Sequence, residues 1–317
     1  MKLRNLLGGA VLGVGGLAAL NTGLRYEGEL ESPLDGDDGV FRWRGMDVAY
    51  TEAGDPDDPD LLLLHGINAA GSSGEWRAVF DDLAADYHVV APDFPGYGRS
   101  DRPPLRYSAA LYEDFVHDFL AEFDEPAVVA SSLSAAYAAA AVDGGDAAGG
   151  VRISGFVGVC PTATAGPSPA KGWLRELFRA PLVGQALFNV ITSKPSIRYF
   201  NADHGYDDPS NPSAEWTDYE WRTTHVENAR FAPASFISGT LNSDIDLAAA
   251  LAGLDVPPTI VWGREATVSP LTDGRELADA ADARLVVFDR ARLLPHVEHP
   301  ERFVETVEEA LVAGVTA

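Results

Sequence analysis

Short apolar runs alternate with stretches of helical spacing along most of the chain. Leu61 to Leu64 is a run of leucines bounded by breakers, too short for a helix, and it reads as a buried strand. Before it, Phe41 to Trp43 and Met46 to Thr51 read as two strands joined at Arg44-Gly45, and Gly54 to Asp60 as a turn. After it, the pattern predicts a helix over Glu75 to Asp86, a strand at His88 to Ala91, and a helix over Ser108 to Phe123 with Leu111, Phe115, Val116 and Phe119 on one face. Pro126 to Ala130 is the next strand, alanine-dense Leu133 to Ala141 the next helix, and Val151 to Cys160 a further strand. Strands alternating with helices of this length predict an α/β fold, a mostly parallel sheet covered on both faces.

The rhythm changes between Pro161 and about Val256, where Trp, Tyr, Phe, Pro and Asn are frequent. Helices are predicted over Gly172 to Phe178, Leu182 to Asn189, Glu215 to Asn228 and Phe231 to Leu241, together an inserted helical cap. The βα rhythm returns with a strand at Thr259 to Trp262, a helix over Asp273 to Asp279, a strand at Arg284 to Phe288 and a final helix over Pro300 to Val312. The expected division is a core of residues 41–160 and 257–317, a cap of residues 161–256, a polar acidic linker at 25–40, and a separate leader at 1–24.

That leader has Lys2 and Arg4 ahead of an uncharged run from Leu6 to Leu24, close to the roughly 20 residues that span a bilayer. A poor small-residue cleavage site follows, so the expectation is an uncleaved membrane anchor with the acidic domain outside, or secretion if the leader is removed. A soluble protein with a glycine-rich start is the alternative.

Charge narrows the partners. With 48 acidic and 23 basic residues the formal net charge is -25, which argues against nucleic acid and anionic surfaces. The basic residues are nearly all arginine; the lysines are Lys2, Lys171 and Lys194. This acid-rich, lysine-poor composition is similar to that of proteins from halophilic archaea, an expectation about source and not reaction. Cys160 is the one cysteine, so no internal disulfide exists, and its apolar surroundings suit a buried bystander. His88, His117, His204 and His225 lack metal-ligand spacing. Asp203, Asp207 and Asp208 lack that of a calcium loop, and Gly96 and Gly98 that of a phosphate loop. No cofactor is expected.

Four segments carry the chemistry: His65-Gly66 after the leucine strand, Asp93 to Ser100 (DFPGYGRS) after the next, Ala130-Ser131-Ser132-Leu133-Ser134 between strand and helix, and Leu294 to Pro300 after the last strand. In order and spacing they resemble the α/β-hydrolase superfamily, well over residues 45–160 and more loosely over 258–315. The resemblance implies a nucleophile elbow with Ser132 at its centre and an oxyanion hole from the backbone N–H groups of Ile67 and Leu133. It implies that His65 buttresses that turn and that Asp93 holds the DFPGYGRS segment. A capping serine is the structural alternative for Ser132. A serine rather than an aspartate at the elbow speaks against the branches that use an aspartyl ester.

The same resemblance shows departures. Ala266 stands where members place an aspartate, with Glu265 adjacent, and Val159 to Gly166 offers no carboxylate. Anchored on Glu298 and Pro300, the catalytic histidine position is Leu293, while His296 and His299 follow. His296 is the candidate base, with Glu265, Asp289 or a carbonyl to orient it; a packing histidine is the alternative. Two functions follow. One is a serine hydrolase acting on a carboxylic ester or thioester through an acyl-enzyme, with a small or medium apolar ester-like molecule in a pocket lined by Trp173, Phe178, Phe188, Trp216, Tyr219 and Trp221, unless these are ordinary cap core. The other is a catalytically inactive member that binds an apolar ligand or partner at the membrane.

Overall fold

The computed structural model describes residues 15–143 and 151–315. Among the described residues one sheet runs in the order β1 (Asp37–Trp43), β2 (Met46–Ala53), β4 (His88–Pro92), β3 (Asp60–Leu64), β5 (Ala127–Ser131), β6 (Gly155–Val159), β7 (Thr259–Gly263) and β8 (Arg284–Phe288). The β1–β2 and β2–β4 pairs are antiparallel and every later pair is parallel.

Period-two alternation explains why the strand sequences are almost wholly apolar. Leu61, Leu63, Val89, Ala91, Val129 and Val261 pack on one face, against Phe303, Val307 and Leu311 of the helix α10 (Pro300–Val315). Leu62, Leu64, Val90, Val128, Ala130 and Ile260 pack on the other, against α1 (Ala109–Leu120) and α2 (Leu133–Asp143). With both faces covered, most inner strand positions are apolar, and the few polar ones, such as Ser131 and Thr259, lie at strand ends. The Ser108 hydroxyl accepts from Leu111 N–H and starts α1. In α2 the small side chains Ala135, Ala136, Ala138 and Ala139 are all buried, so this helix lies close on the sheet and brings its N-terminus near the strand ends.

Several boundaries differ from the pattern. The linker expected over residues 25–40 ends in β1, whose register begins with Asp37 opposite Glu52. The sixth strand starts at Gly155 rather than Val151, because its partner β5 starts at Ala127 and the two pair only from there. The helix expected over Glu75 to Asp86 is a 3₁₀ turn at Ser73–Trp76 and a helical turn at Phe80–Leu83. Trp76, Val79, Phe80 and Leu83 have the spacing of a helix face and are buried, but Val79 leaves helical geometry at φ -130. The expected cap helices form as α3 (Gly172–Arg179), α4 (Val183–Ile191), α6 (Ala214–His225) and α7 (Phe231–Ile237). Two more were not legible in the pattern: α5 (Lys194–Phe200), which starts with Pro195 in its first turn, and α8 (Leu247–Ala252), capped by Asp246 and packed on the main core through Leu247 and Leu251. The helix α9 (Leu271–Ala281) follows β7.

The structure corrects the membrane anchor. Among the described residues no helix is long and apolar enough to cross a membrane. Of the apolar run, residues 6–14 lie outside the described ones, and residues 15–23 are helical. This helix is fastened to the cap by polar bonds: Asn21 Nδ2 donates to Leu182 O at 2.9 Å and Asn21 Oδ1 accepts from Asn189 Nδ2 at 3.2 Å. Just beyond it, Tyr26 N–H donates to His225 O at 2.8 Å. With no spanning helix among the described residues, the expected anchor, and the membrane partner and outside location that depended on it, are not supported.

Candidate active site

A single residue, Ser132, joins β5 to α2. It has φ +55, the left-handed region, which costs a residue with a Cβ roughly 1–2 kcal/mol. The turn is held by Ser132 N–H to Val159 O at 2.9 Å, Thr162 N–H to Ser132 O at 3.3 Å and Ala135 N–H to Ser132 O at 3.2 Å. Ser131, Leu133 and Ser134 are buried, whereas Ser132 keeps partial exposure. A strained turn that holds one hydroxyl at the surface among buried neighbours suits a nucleophile better than a helix cap.

The 65–67 turn, expected from the sequence to supply one of the oxyanion N–H groups, is held by His65. His65 Nε2 accepts from Phe94 N–H at 3.1 Å, so the ring proton resides on Nδ1, which donates to Gly66 O at 2.9 Å. Burial keeps this imidazole neutral by lowering its pKa. Ser134, at a position where a glycine is usual, donates to His65 O at 2.5 Å, and therefore ties the first turn of α2 to the oxyanion turn. Leu133 N–H lies in that first turn, where no intrahelical carbonyl is available to it. His65 thus braces the 65–67 turn against Phe94 and α2.

Asp93 organises the DFPGYGRS segment. Fully buried, it accepts from Ser73 N–H at 2.7 Å with Oδ1, and from Arg99 N–H at 3.0 Å and Arg99 Nε at 3.2 Å with Oδ2. Ser100 Oγ donates to Asp93 O at 2.5 Å and accepts from Ala49 N–H at 2.9 Å, fixing the turn to β2. Gly98 has φ +49, and a methyl group there would collide with the Asp93 carboxylate.

The structure does not bring the acid and histidine candidates together as expected. Glu265 Oε2 accepts from Ala291 N–H at 3.0 Å and so braces the loop after β8, not a histidine ring. Asp289 pairs with Arg264 at the surface, and His299 Nε2 lies 3.1 Å from Arg290 O. His296 is completely buried, its ring 4.5 Å from Trp76 and 5.4 Å from Phe303, centroid to centroid. Burial, with the nearby Arg77 charge, pushes its pKa down to about 3, so the imidazole is neutral. Among the described residues no hydrogen bond joins it to Ser132, and neither ring nitrogen completes one. The family positions for the acid and base are apolar in space as in sequence: Ala266 is buried in the core cluster on which Leu293 packs.

The carboxylate beside His296 is one that sequence reasoning missed. Glu75 Oε1 is 3.7 Å from His296 Nε2, while Glu75 Oε2 accepts from Gly66 N–H at 2.9 Å and lies on the same side of Gly66 as the Ser131 hydroxyl. Burial raises its pKa, and the bonds from Ser131 and Gly66 work in the other direction. Its signal in the sequence was an acidic residue inside the buried Ser73–Trp76 turn, which was read as helix.

The cap aromatics do not share one pocket. Phe178 and Phe188 are buried in the cap's own small core with Ala229 and Ala234, and Trp173 is 67% exposed. Trp216 stacks on Tyr219, centroids 5.4 Å apart, and lies under the Arg77 guanidinium at 3.9 Å. Cavities of about 490 Å³, beside Arg99, Asp101 and Arg102, and about 210 Å³, between Asn21, Asn189 and Arg230, are not lined by Ser132. Cys160 is a buried bystander, its thiol pushed up to about 12 by burial.

One cap carboxylate gives a pH test of this packing. Glu220 on α6 is buried, accepts from Asn201 Nδ2 at 2.7 Å, and has its pKa raised by burial from 4.5 to about 7. Because the folded value lies above the unfolded one, the folded state holds this proton longer. Its contribution to stability is full below pH 4.5 and is lost as pH rises to 7. Glu220→Gln is therefore expected to raise the unfolding free energy over wild type by about 1–3 kcal/mol at pH 8 and to leave it unchanged at pH 4. Urea denaturation of both proteins at both pH values checks this, and the difference cancels the opposite contribution of His296.

Comparison with known proteins places this geometry. The model of the "Alpha/beta hydrolase family" matches residues 61–306. An uncharacterized protein of Mycobacterium tuberculosis is 41% identical over 66 residues, 21% of this chain and 19% of that one. A 2-hydroxy-6-oxo-6-phenylhexa-2,4-dienoate hydrolase of Burkholderia cepacia is 24% identical over 265 residues, 80% of this chain and 88% of the relative. Among solved structures, a serine hydrolase involved in carbazole degradation superposes with a TM-score of 0.68 at 19% identity, covering 87% of this chain and 98% of its own; this likeness carries the fold. The chain spans only 19% to 26% of the length of the first curated relatives it matches. These relatives come from bacteria and a yeast, and none supports the halophilic source expected from composition.

Proposed function

The chain belongs to the alpha/beta hydrolase family, and from that premise we propose that it is a serine hydrolase cleaving a carboxylic ester or thioester through an acyl-enzyme at Ser132. The observation that carries the reading is the left-handed Ser132 at the strand-to-helix turn, the partly exposed residue in a buried elbow. Ser132 Oγ attacks the carbonyl carbon, and the negative charge that develops on the carbonyl oxygen is met by the N–H groups of Leu133 and Ile67. A general base takes the hydroxyl proton and passes it to the departing alkoxide or thiolate, and water then releases the acid. His296 is the candidate for that base; its burial, its pKa lowered to about 3 and its lack of a bond to Ser132 among the described residues count against it. Glu265 contributes through Ala291 N–H, by steadying the loop that carries His296. A small or medium apolar ester fits this chemistry.

A second reading, a member that binds an apolar ester-like ligand without turning it over, is favoured by Leu293 and Ala266 at the family's base and acid positions and by the absence of a Ser132–His296 hydrogen bond among the described residues. Labelling with a fluorophosphonate probe separates the two. Wild type is expected to label, and His296→Phe, which keeps a ring between Trp76 and Phe303, to label about 100-fold more slowly. A folded wild-type protein that takes no label would establish the binding reading. Equal labelling of the two proteins would remove His296 as the base.

A further inference from the structure

We infer that Glu75 is a positioning residue of the oxyanion hole, a buried carboxylate that ties the Gly66–Ile67 turn to the Ser131–Ser132–Leu133 elbow. The inference rests on the hydrolase reading and concerns the same site. The two N–H groups proposed to meet the oxyanion come from separate parts of the chain, and their spacing has to be held to a few tenths of an ångström for the hole to work. Glu75 touches both parts. Its Oε2 accepts from the N–H of Gly66, the residue before Ile67, at 2.9 Å. Its carboxyl also lies beside the hydroxyl of Ser131, the residue before Ser132, which favours the charged carboxylate.

The closeness of the three groups shows at Gly66. A Cβ built there would stand 3.1 Å from both Glu75 Oε2 and Ser131 Oγ, so a side chain at this position would have to push the carboxylate and the hydroxyl aside by a few tenths of an ångström. Behind the carboxylate, Oε1 faces His296 Nε2 at 3.7 Å, and that ring is wedged between Trp76 and Phe303. Glu75 itself is 7% exposed. Burying a carboxylate carries a desolvation cost that an apolar side chain in the same turn would avoid. A strut that accepts the Gly66 N–H from one half of the hole and sets its carboxylate beside the Ser131 hydroxyl of the other accounts for its presence.

The test compares wild type with Glu75→Ala, Glu75→Gln, Ser131→Ala and Ser132→Ala. Three readouts are taken: hydrolysis of p-nitrophenyl butyrate, labelling by a fluorophosphonate, and hydrogen exchange of the Gly66 amide. Glu75→Ala is expected to lose about 100-fold in kcat with KM changed less than about threefold, because the hole acts on the transition state and not on bound substrate. Its Gly66 amide should exchange faster. Glu75→Gln keeps an acceptor for Gly66 N–H and is expected to recover kcat to within about tenfold of wild type, the difference between a charged and a neutral hydrogen bond. Ser131→Ala, which cuts the other tie, should lower kcat in the same direction and leave KM unchanged.

Should Glu75→Ala fail to fold, the Gln and Ser131 variants decide alone. The inference is overturned if wild type labels at Ser132 but the folded Glu75 and Ser131 variants keep wild-type kcat, or if the loss falls on KM. It is also overturned if Gln restores nothing while Gly66 stays protected, since the carboxylate would then act by its charge. If wild type neither labels nor hydrolyses ester, the hydrolase reading itself fails and takes this one with it.

Discussion

Ser132→Ala is expected to abolish fluorophosphonate labelling and to lower ester turnover by at least about 10⁴-fold, with the fold intact. The size of the effect follows from what alanine removes and what it leaves. The hydroxyl is the only proposed nucleophile, and no acyl-enzyme forms without it. The turn, by contrast, is held by main-chain bonds to Val159, Thr162 and Ala135 that do not involve the side chain. Alanine also tolerates the left-handed φ about as well as serine does, so thermal stability should move by less than about 1 kcal/mol. Steady-state hydrolysis of a p-nitrophenyl ester, a thermal melt, and mass spectrometry of the labelled peptide are sufficient. Activity or label retained by the alanine protein would place the chemistry elsewhere.

Asp93→Ala is expected to have the largest effect on stability, a loss of about 3–5 kcal/mol by urea denaturation. Two backbone N–H groups, of Ser73 and Arg99, would lose their acceptor inside the protein, and the mostly buried Arg99 side chain would lose one of its two carboxylate partners. Arg99 retains Asp38 and Thr51, which limits the loss but leaves charge behind in a cavity. Such a loss is a large share of the 5–15 kcal/mol that holds a typical domain together. Asp93→Asn, which keeps one acceptor, should lose less. An alanine variant as stable as wild type would show that water replaces the carboxylate and that the DFPGYGRS turn is held by Ser100 alone.

Much of the fold was legible because α/β architecture writes itself into short-range pattern. The leucine run of β3 and the valines of β4 and β5 are apolar at every position only because both sheet faces are covered. The elbow, the DFPGYGRS turn and the roles expected of His65 and Asp93 came from short motifs that resemble a family pattern, although the contacts themselves, such as His65 with Phe94 and Asp93 with Ser73, span the chain. What escaped was long-range. Glu75 gains its meaning from Gly66, Ser131 and His296, which meet only in the folded sheet, and its own segment imitated a helix by its apolar spacing. Glu265 was chosen for adjacency to the expected acid position, yet the turn directs its carboxylate to Ala291 N–H. The apolar leader was read by length and hydropathy alone, and neither property registers that Asn21 would find partners on the cap. The cap aromatics were grouped by composition, whereas the helices distribute them between a small core, a stacked pair and solvent.

The docking of the helix at residues 15–23 changes how the cap is connected. By sequence the cap is joined to the sheet at two points, the exits from β6 and into β7, and could swing about them as a hinged flap. The segment before β1 adds a third point of attachment. It leaves the cap at Tyr26, bonded to His225 at the end of α6, and enters the edge of the sheet at Asp37. A body pinned at two neighbouring points can rotate; one pinned at a third, off that axis, cannot without breaking something. Any large swing of α6 away from the Ser73–Trp76 turn, on which Trp216 rests, therefore has to rupture the Tyr26–His225 bond and the Asn21 contacts or stretch the intervening chain. Exchange of a ligand with solvent in this protein is better served by local movement within the cap than by its wholesale displacement.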